Sequence, residues 1–381
     1  MLQLPPLSLY IHIPWCVQKC PYCDFNSHAL KQEVPEADYV AALLADLSHD
    51  LHYVQGRQLQ SIFIGGGTPS LFSAAAIKTL LDGVAAQIPF ADDIEITMEA
   101  NPGTVEAGRF IGYQRAGVTR ISIGVQSFQP EKLQRLGRIH DPAQAIAAGL
   151  QAKQAGLRSF NIDLMHGLPE QSVSDALSDL QQAIEIAPPH LSWYQLTIEP
   201  NTAFGSRPPV LPEDETLWDI QEQGHQLLLA AGYRQYEISA YAKPGFECRH
   251  NLNYWQFGDY LGIGCGAHGK ITMPAEDRII RTAKVKHPKG YLDPARAFLD
   301  QCWDVEDEDR PFKYFMNRMR LFQPIPKAEF TTRTNLPAES VEAMFKRAYE
   351  QELLEQSETE WKVTELGHRY LNNLLTMLME E

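Results

Sequence analysis

"LSLYIHIPWCVQKCPYCDFN", residues 7–26, is a β-rich run that empties into a loop carrying three cysteines, Cys16, Cys20 and Cys23. Residues 7–13 form an apolar, β-branched segment of strand length rather than helix length. Chemistry placed directly after a strand is the habit of parallel α/β sheets, whose sites lie at the carboxyl ends of the strands. Three thiolates within eight positions are one short of a closed tetrahedral site. Two residues beyond the last of them stands Phe25, where another cysteine could easily have been.

The same unit recurs along the chain. "SIFIG" (61–65), "EITMEA" (95–100), "RISIGV" (120–125), "SFNIDLM" (159–165) and "HLSWYQLT" (190–197) are each followed by a helical pattern. Helices are predicted around 36–54, 73–86, 104–116, up to about 156, 172–187 and 213–231, which makes six βα units. The strands read as nearly continuous apolar runs, as expected of a parallel sheet covered on both faces. Right-handed crossovers would wind them into a closed or partly closed barrel, or into a doubly wound sheet. The pattern alone leaves that choice open. In either case polar residues at successive strand ends converge: "GGGTPS" (65–70), Glu99 before "ANPG", Gln126 and Ser127, Asp163 before "MHGLP", and Gln195.

Beyond residue 232 the pattern changes. "YEISAYA", "YLGIG", "KITM" and "RIIRTAK" look like short antiparallel strands around an aromatic-rich loop, "CRHNLNYWQFGDY". From about 312, helices ("FKYFMNRMRLF", "PAESVEAMFKRAYEQELLEQ"), a short strand and a final helix suggest a small winged-helix-like appendage. Its acidic residues outnumber its Lys and Arg, and the whole chain of 381 residues has a formal net charge of −15 without a basic run, so nucleic acid is not expected as a partner. Hydrophobic residues at 44% and charged residues at 21% describe an ordinary globular protein. No signal peptide or membrane-length apolar run is read, and the expected compartment is the cytoplasm. There, clustered cysteines point to metal rather than to disulfides.

The spacing C-x3-C-x2-C, with no second CxxC pair, suits a cubane iron–sulfur cluster with one iron left open. The alternative is a zinc knuckle completed by His12 or His28. The "GGGTPS" turn is neither a Walker loop nor GxGxxG. Its bare backbone is expected to lie against a ligand and present N–H groups to it.

On these residues the chain resembles the radical S-adenosylmethionine (SAM) superfamily. "GGGTPS", "EANPG", "ISIGVQSF", "LGRIH" and "NIDLMHGLP" are similar to its branch of oxygen-independent coproporphyrinogen III oxidases and HemW-type haem chaperones. The resemblance implies an α/β fold, a partial (β/α)6 TIM-like barrel over 1–235, an extension over 236–310, and a C-terminal helical, winged-helix-like domain over 311–381. It implies a [4Fe–4S] cluster on Cys16, Cys20 and Cys23, and a SAM chelating the open iron near Tyr10, Gly66 and Glu99. Gly67, Thr68, Gln126, Arg138 and Asp163 match positions around a second SAM, with Tyr22 against it. Carboxylates suit the ammonium and hydroxyls of an adenosyl cofactor, and the Arg138 fork suits a carboxylate.

Two features depart from the oxidase pattern. Phe25 occupies the place of a further cysteine, which puts coproporphyrinogen decarboxylation in doubt. "HNLNYW" (250–255) fits a haem-handling motif, with His250 as the iron ligand and His268 or Cys265 as alternatives. The expected function is haem binding and transfer to acceptor proteins, respiratory ones among them, with an electron donor for the cluster and peripheral membrane contact through an acceptor. The alternative is an oxygen-independent coproporphyrinogen III dehydrogenase of porphyrin biosynthesis. A purely structural metal domain is the third reading.

Overall fold

A computed structural model describes residues 1–31, 33–104 and 108–379. Residues 105–107 of the helix predicted over 104–116, and residues 380–381 of the final predicted helix, lie outside the described residues.

Six strands, β1 Leu7–Ile13, β2 Leu59–Gly66, β3 Phe90–Ala100, β4 Arg120–Gln126, β5 Ser159–His166 and β6 His190–Gln195, pair in parallel in the order of the sequence. Helices Glu36–Asp50, Ala74–Gln87, Arg109–Arg115, Pro142–Gln154, Val173–Ile186 and Asp214–Ala230 fall between or after them. Strands β7 Arg234–Glu237 and β8 Ala240–Ala242 fold back antiparallel, β8 lying on β6. Strand β9 Asp259–Ile263 then pairs with the other side of β1, and it does so in parallel, not antiparallel as its sequence suggested. Antiparallel β10 His268–Met273, β11 Arg278–Lys284 and β12 Leu299–Asp304 follow. Among the described residues the sheet has twelve strands, ordered β12-β11-β10-β9-β1-β2-β3-β4-β5-β6-β8-β7, and its two ends do not pair, so the six-unit barrel stays open. Strand β12 has no signature in the sequence because all six of its residues are exposed.

The strands are not apolar on both faces. Leu9, Ile62, Met98, Ile123, Ile162 and Leu191 turn outward into the core beneath the helices. The alternate residues turn inward, as the period of two demands, and most of them are polar. Buried Ser8 and Ser61 bond each other at 2.7 Å, and Asn161 bonds the His190 ring at 2.6 Å. The lumen is therefore a hydrogen-bonded layer that opens toward the carboxyl ends of the strands.

The C-terminal unit contains helices Arg310–Arg318, Lys327–Thr334, Glu342–Glu350 and Leu371–Met377. Strands Glu360–Val363 and Leu354–Gln356 form its wing, and Ile325–Pro326 adds a third antiparallel strand. The second of the predicted helices ends early, its tail becoming strand Leu354–Gln356. Helix Lys327–Thr334 was hidden by its threonines, which are poor helix formers. The core is aromatic: Phe315, Phe330, Phe345 and Trp361 pack with ring centres 4.8–5.6 Å apart. Leu2, Phe257 and Ile279 join the same cluster and tie this unit to the sheet. Among the described residues no helix is long and apolar enough to cross a membrane.

Helix Asp214–Ala230 approaches the sheet through Gly224, where a Cβ would stand 2.0 Å from the buried Trp193 ring. Gly224→Ala should therefore destabilise the fold by about 1–3 kcal/mol, although alanine is the better helix former by roughly 1 kcal/mol. Urea unfolding followed by tryptophan fluorescence measures this, and a neutral or stabilising result would refute the close approach.

Candidate functional site

The cysteine loop is pinned at both ends. After β1, Trp15–Cys16 pairs in parallel with His28–Ala29, and the Leu30 N–H donates to the Cys16 carbonyl at 2.8 Å. Farther on, the Asn26 amide donates to the Cys265 and Lys286 carbonyls at 3.0 and 2.9 Å. Within the loop the Cys23 N–H closes a turn on the Cys20 carbonyl. Burial pushes the Cys16 thiol above its ordinary pKa, while hydroxyl contacts from Thr68 and Ser27 pull it back. Arg138 Nη1 lies 3.7 Å from Cys20 Sγ, a cation beside a sulfur that must ionise to hold metal.

His12 and His28 do not complete a zinc knuckle. His12 uses Nδ1 with the Tyr10 hydroxyl at 2.9 Å and Nε2 with the Asn26 carbonyl at 2.8 Å, and His28 Nε2 bonds Asn26 Oδ1 at 3.2 Å. Both nitrogens of His12, and Nε2 of His28, are thus engaged. Among the described residues no three His, Cys, Asp or Glu side chains gather round one point as ligands of a single ion. A cluster instead places each cysteine on its own iron.

The glycine turn corrects its sequence reading. The N–H of Gly66 donates to Glu99 Oε2 at 3.0 Å, that of Gly67 to Ile13 O at 2.6 Å, and that of Thr68 to Trp15 O at 2.7 Å. All three donors are consumed inside the chain. A Cβ at Gly67 would come within 2.5 Å of the Trp15 carbonyl, and Gly66 holds φ +113°. The glycines let the β2 turn lie flush against the cysteine loop.

One cavity of about 500 Å³ gathers the three cysteines, Tyr22, Gly66, Gly67, Thr68, Glu99, Gln126, Arg138 and Asp163. Of the residues predicted for the site, only Tyr10 and His250 line the neighbouring cavity instead. Burial, with Asp163 nearby, pushes the Glu99 carboxyl up to about 8, against the Gly66 hydrogen bond. Burial also raises Asp163, although Ser122 Oγ and Asn161 Nδ2 donate to it at 3.1 and 2.7 Å. Neither carboxyl forms an ion pair among the described residues, so the chamber favours a cationic guest. Gln126 adopts φ +70°, strained for a side chain of its size, and accepts from the Tyr194 hydroxyl at 2.9 Å. Arg138 does not offer a free fork: Nη2 donates to Gly124 O, and only the buried Nε lacks a partner among the described residues.

Several lining residues escaped the sequence reading. Ser122, Ser192 and Tyr194 line the cavity, whereas Gln195 is exposed and packs beside Gly167. On β6 the inward side is that of Ser192 and Tyr194, one residue out of step with Gln195. Ser127 is also absent from the cavity, its hydroxyl holding Asp179 at 2.6 Å.

"HNLNYW" is not a loop but most of a helix, Arg249–Trp255. Residues four apart share a helical face. Asn251 and Trp255 accordingly line the first cavity, while His250 and Tyr254 line the second, of about 780 Å³. His250 Nδ1 bonds Ser61 Oγ at 3.0 Å, and the ring lies 5.2 Å from Phe63. Burial lowers its pKa to about 4, so the imidazole is neutral at pH 7. His268 lines this cavity as well, but Cys265 is buried with its thiol on the Lys286 carbonyl at 2.7 Å. Lys19 and the exposed Phe25 belong to the walls of both cavities.

Residues 10–180 match the Radical SAM superfamily, and residues 305–370 match the HemN C-terminal domain. Over its full length, and that of the relative, the chain is 64% identical to "Heme chaperone HemW" of Escherichia coli K12. The chain belongs to the HemW family. The HemW protein of Haemophilus influenzae is 60% identical, again covering 100% of both chains. Among solved structures, coproporphyrinogen III oxidase (HemN) from Escherichia coli superimposes with a TM-score of 0.84 at 24% identity, covering 98% of this chain and 90% of that one. The HemW-family chain thus shares the oxidase fold, including the C-terminal helical domain.

Glu99 supplies a pH test. Its folded pKa of about 8 lies above the ordinary 4.5, so the folded state favours the protonated acid. The penalty is fully present above pH 8 and fades as pH falls toward 4.5. Glu99→Gln should raise the Tm of the ligand-free protein at pH 9, with the gain shrinking toward pH 5. A destabilised variant at pH 9 would show that the carboxylate is paired.

Proposed function

We propose that this protein is a radical-SAM-type haem chaperone, holding a [4Fe–4S] cluster, SAM and haem and passing the haem to acceptor proteins. The observation that carries the reading is the pair of cavities on either side of helix Arg249–Trp255, in a chain 64% identical to a named haem chaperone. Cys16, Cys20 and Cys23 would hold the cluster at the mouth of the first cavity. When bound, such a cluster supplies the electron that cleaves SAM reductively. Glu99 and Asp163 favour the positive charges of SAM, and Arg138 offsets the negative charge of the cluster at Cys20. Tyr10, its hydroxyl held by His12, stands in the second cavity close enough to Glu99 to feel its charge.

In the second cavity His250 is prepared as an iron ligand. Ser61 orients Nδ1, and Nε2 has no hydrogen bond among the described residues. A neutral imidazole with its far nitrogen fixed is the usual form of a metal-binding histidine. Tyr254 and Tyr260, with ring centres 5.1 Å apart, offer flat apolar surface to a porphyrin. An electron donor, respiratory haem proteins as acceptors, membrane contact through an acceptor and a cytoplasmic setting belong to the same proposal.

The shared fold favours the oxidase as a second reading. Phe25 stands against it, placing an exposed apolar ring where the resemblance to the oxidase branch implies a further cysteine. The reconstituted, reduced protein, incubated anaerobically with SAM and either haem or coproporphyrinogen III, should retain haem stoichiometrically and leave coproporphyrinogen unchanged. His250→Ala should lose the Soret shift while keeping the broad visible absorption of the cluster. Oxidative decarboxylation of the coproporphyrinogen would overturn the chaperone reading.

A further inference from the structure

The second cavity carries positive charge that an iron ligand does not explain. In a chain of net charge −15, Lys19, Arg281 and Lys286 line it, against Asp24 as the one acidic lining residue. Arg281 projects from β11, and its guanidinium lies 5.7 Å from the centre of the Tyr260 ring. Its buried Nε has no hydrogen-bond partner, and it enters no ion pair among the described residues. Neighbouring cations are treated differently. Lys270, opposite Arg281 on β10, is held by Asp259 at 3.0 Å, and Arg278, on β11 with Arg281, meets Asp304 at 2.7 Å and Glu276 at 2.8 Å. Behind burial, Arg281 and Lys286 help to lower the pKa of His268, which registers the positive field.

A partly desolvated guanidinium without an acid is costly unless a ligand satisfies it. The planar fork fits a carboxylate, and the adjoining Tyr260 and Tyr254 rings fit a flat apolar body. We infer that Arg281, assisted by Lys286, is the carboxylate-recognition element of the second cavity, binding a propionate of the same tetrapyrrole whose iron meets His250. The inference rests on the proposed haem site and adds the basis of its selectivity: tetrapyrroles with free propionates are held, and esterified ones are not. It also sets the orientation, with the propionate edge toward β11 and the iron toward helix Arg249–Trp255.

Full-length wild type, Arg281→Ala, Arg281→Lys and His250→Ala are titrated with haem and haem dimethyl ester, read by the Soret band. Iron-free protoporphyrin IX and its dimethyl ester are titrated in parallel, read by quenching of tryptophan fluorescence. A charge-assisted bond to a carboxylate predicts that wild type prefers haem over the ester by about tenfold to a hundredfold. Arg281→Ala should bind the ester as wild type does, which also shows that it is folded, yet lose the preference for haem. Arg281→Lys should keep part of it. His250→Ala should lose the iron-ligation spectrum and still prefer free-acid protoporphyrin. Equal affinity of wild type for haem and its ester, or an undiminished preference in Arg281→Ala, overturns the Arg281 assignment alone. Failure of wild type to bind any of the four porphyrins overturns the haem reading itself.

Discussion

Each barrel strand must turn every second residue inward, and in this chain those residues are mostly polar. Water cannot satisfy groups buried under Ser8, Asn161 or His190, so they must satisfy one another. Asn161 receives Ser192 and meets His190, which in turn meets the Tyr236 hydroxyl at 2.7 Å. That network fixes the lower barrel as a rigid polar floor. Above it, among the described residues, the carboxyls find hydrogen-bond donors but no ion-pair partner. Glu99 and Asp163 are left as raised carboxyls facing a cavity, and an unfinished hydrogen-bond layer becomes a binding chamber.

Helix Arg249–Trp255 depends on the same floor. Its first N–H groups donate to Glu95, itself an inward residue of β3, at 3.1 Å each. Seated there, seven residues present one face to each of two cavities. The separation of the two cavities is therefore a matter of helical phase. A single-residue deletion between His250 and Tyr254 would turn the two side chains about 100° apart, so that they no longer share one cavity.

The six parallel units, their order and the residues at their ends were legible because apolar period and strand-end chemistry coincide. Gln195 against Tyr194 shows the limit: adjacent residues face opposite sides, and composition does not say which faces in. The glycine turn misled for a related reason. Three glycines announce close approach, but the N–H groups of Gly66, Gly67 and Thr68 met Glu99, Ile13 and Trp15, partners that only the assembled loops bring near. Strand β12 was invisible because exposure on all six residues removes any alternation. Arg281 was unremarkable in "RIIRTAK"; what singles it out is the acid it lacks, and absence of a neighbour is a property of three dimensions.

Phe25 sits on a wall common to both chambers, on the loop that also carries the cysteines. Thermodynamic linkage requires that occupants sharing a movable wall influence each other equally in both directions. If filling the first chamber fixes the posture of Phe25, the affinity of the second shifts with it, and haem in turn feeds back on what the cysteine loop holds. On the proposed function, a residue that reads as the loss of an oxidase function would be the point at which cluster status and cargo affinity meet.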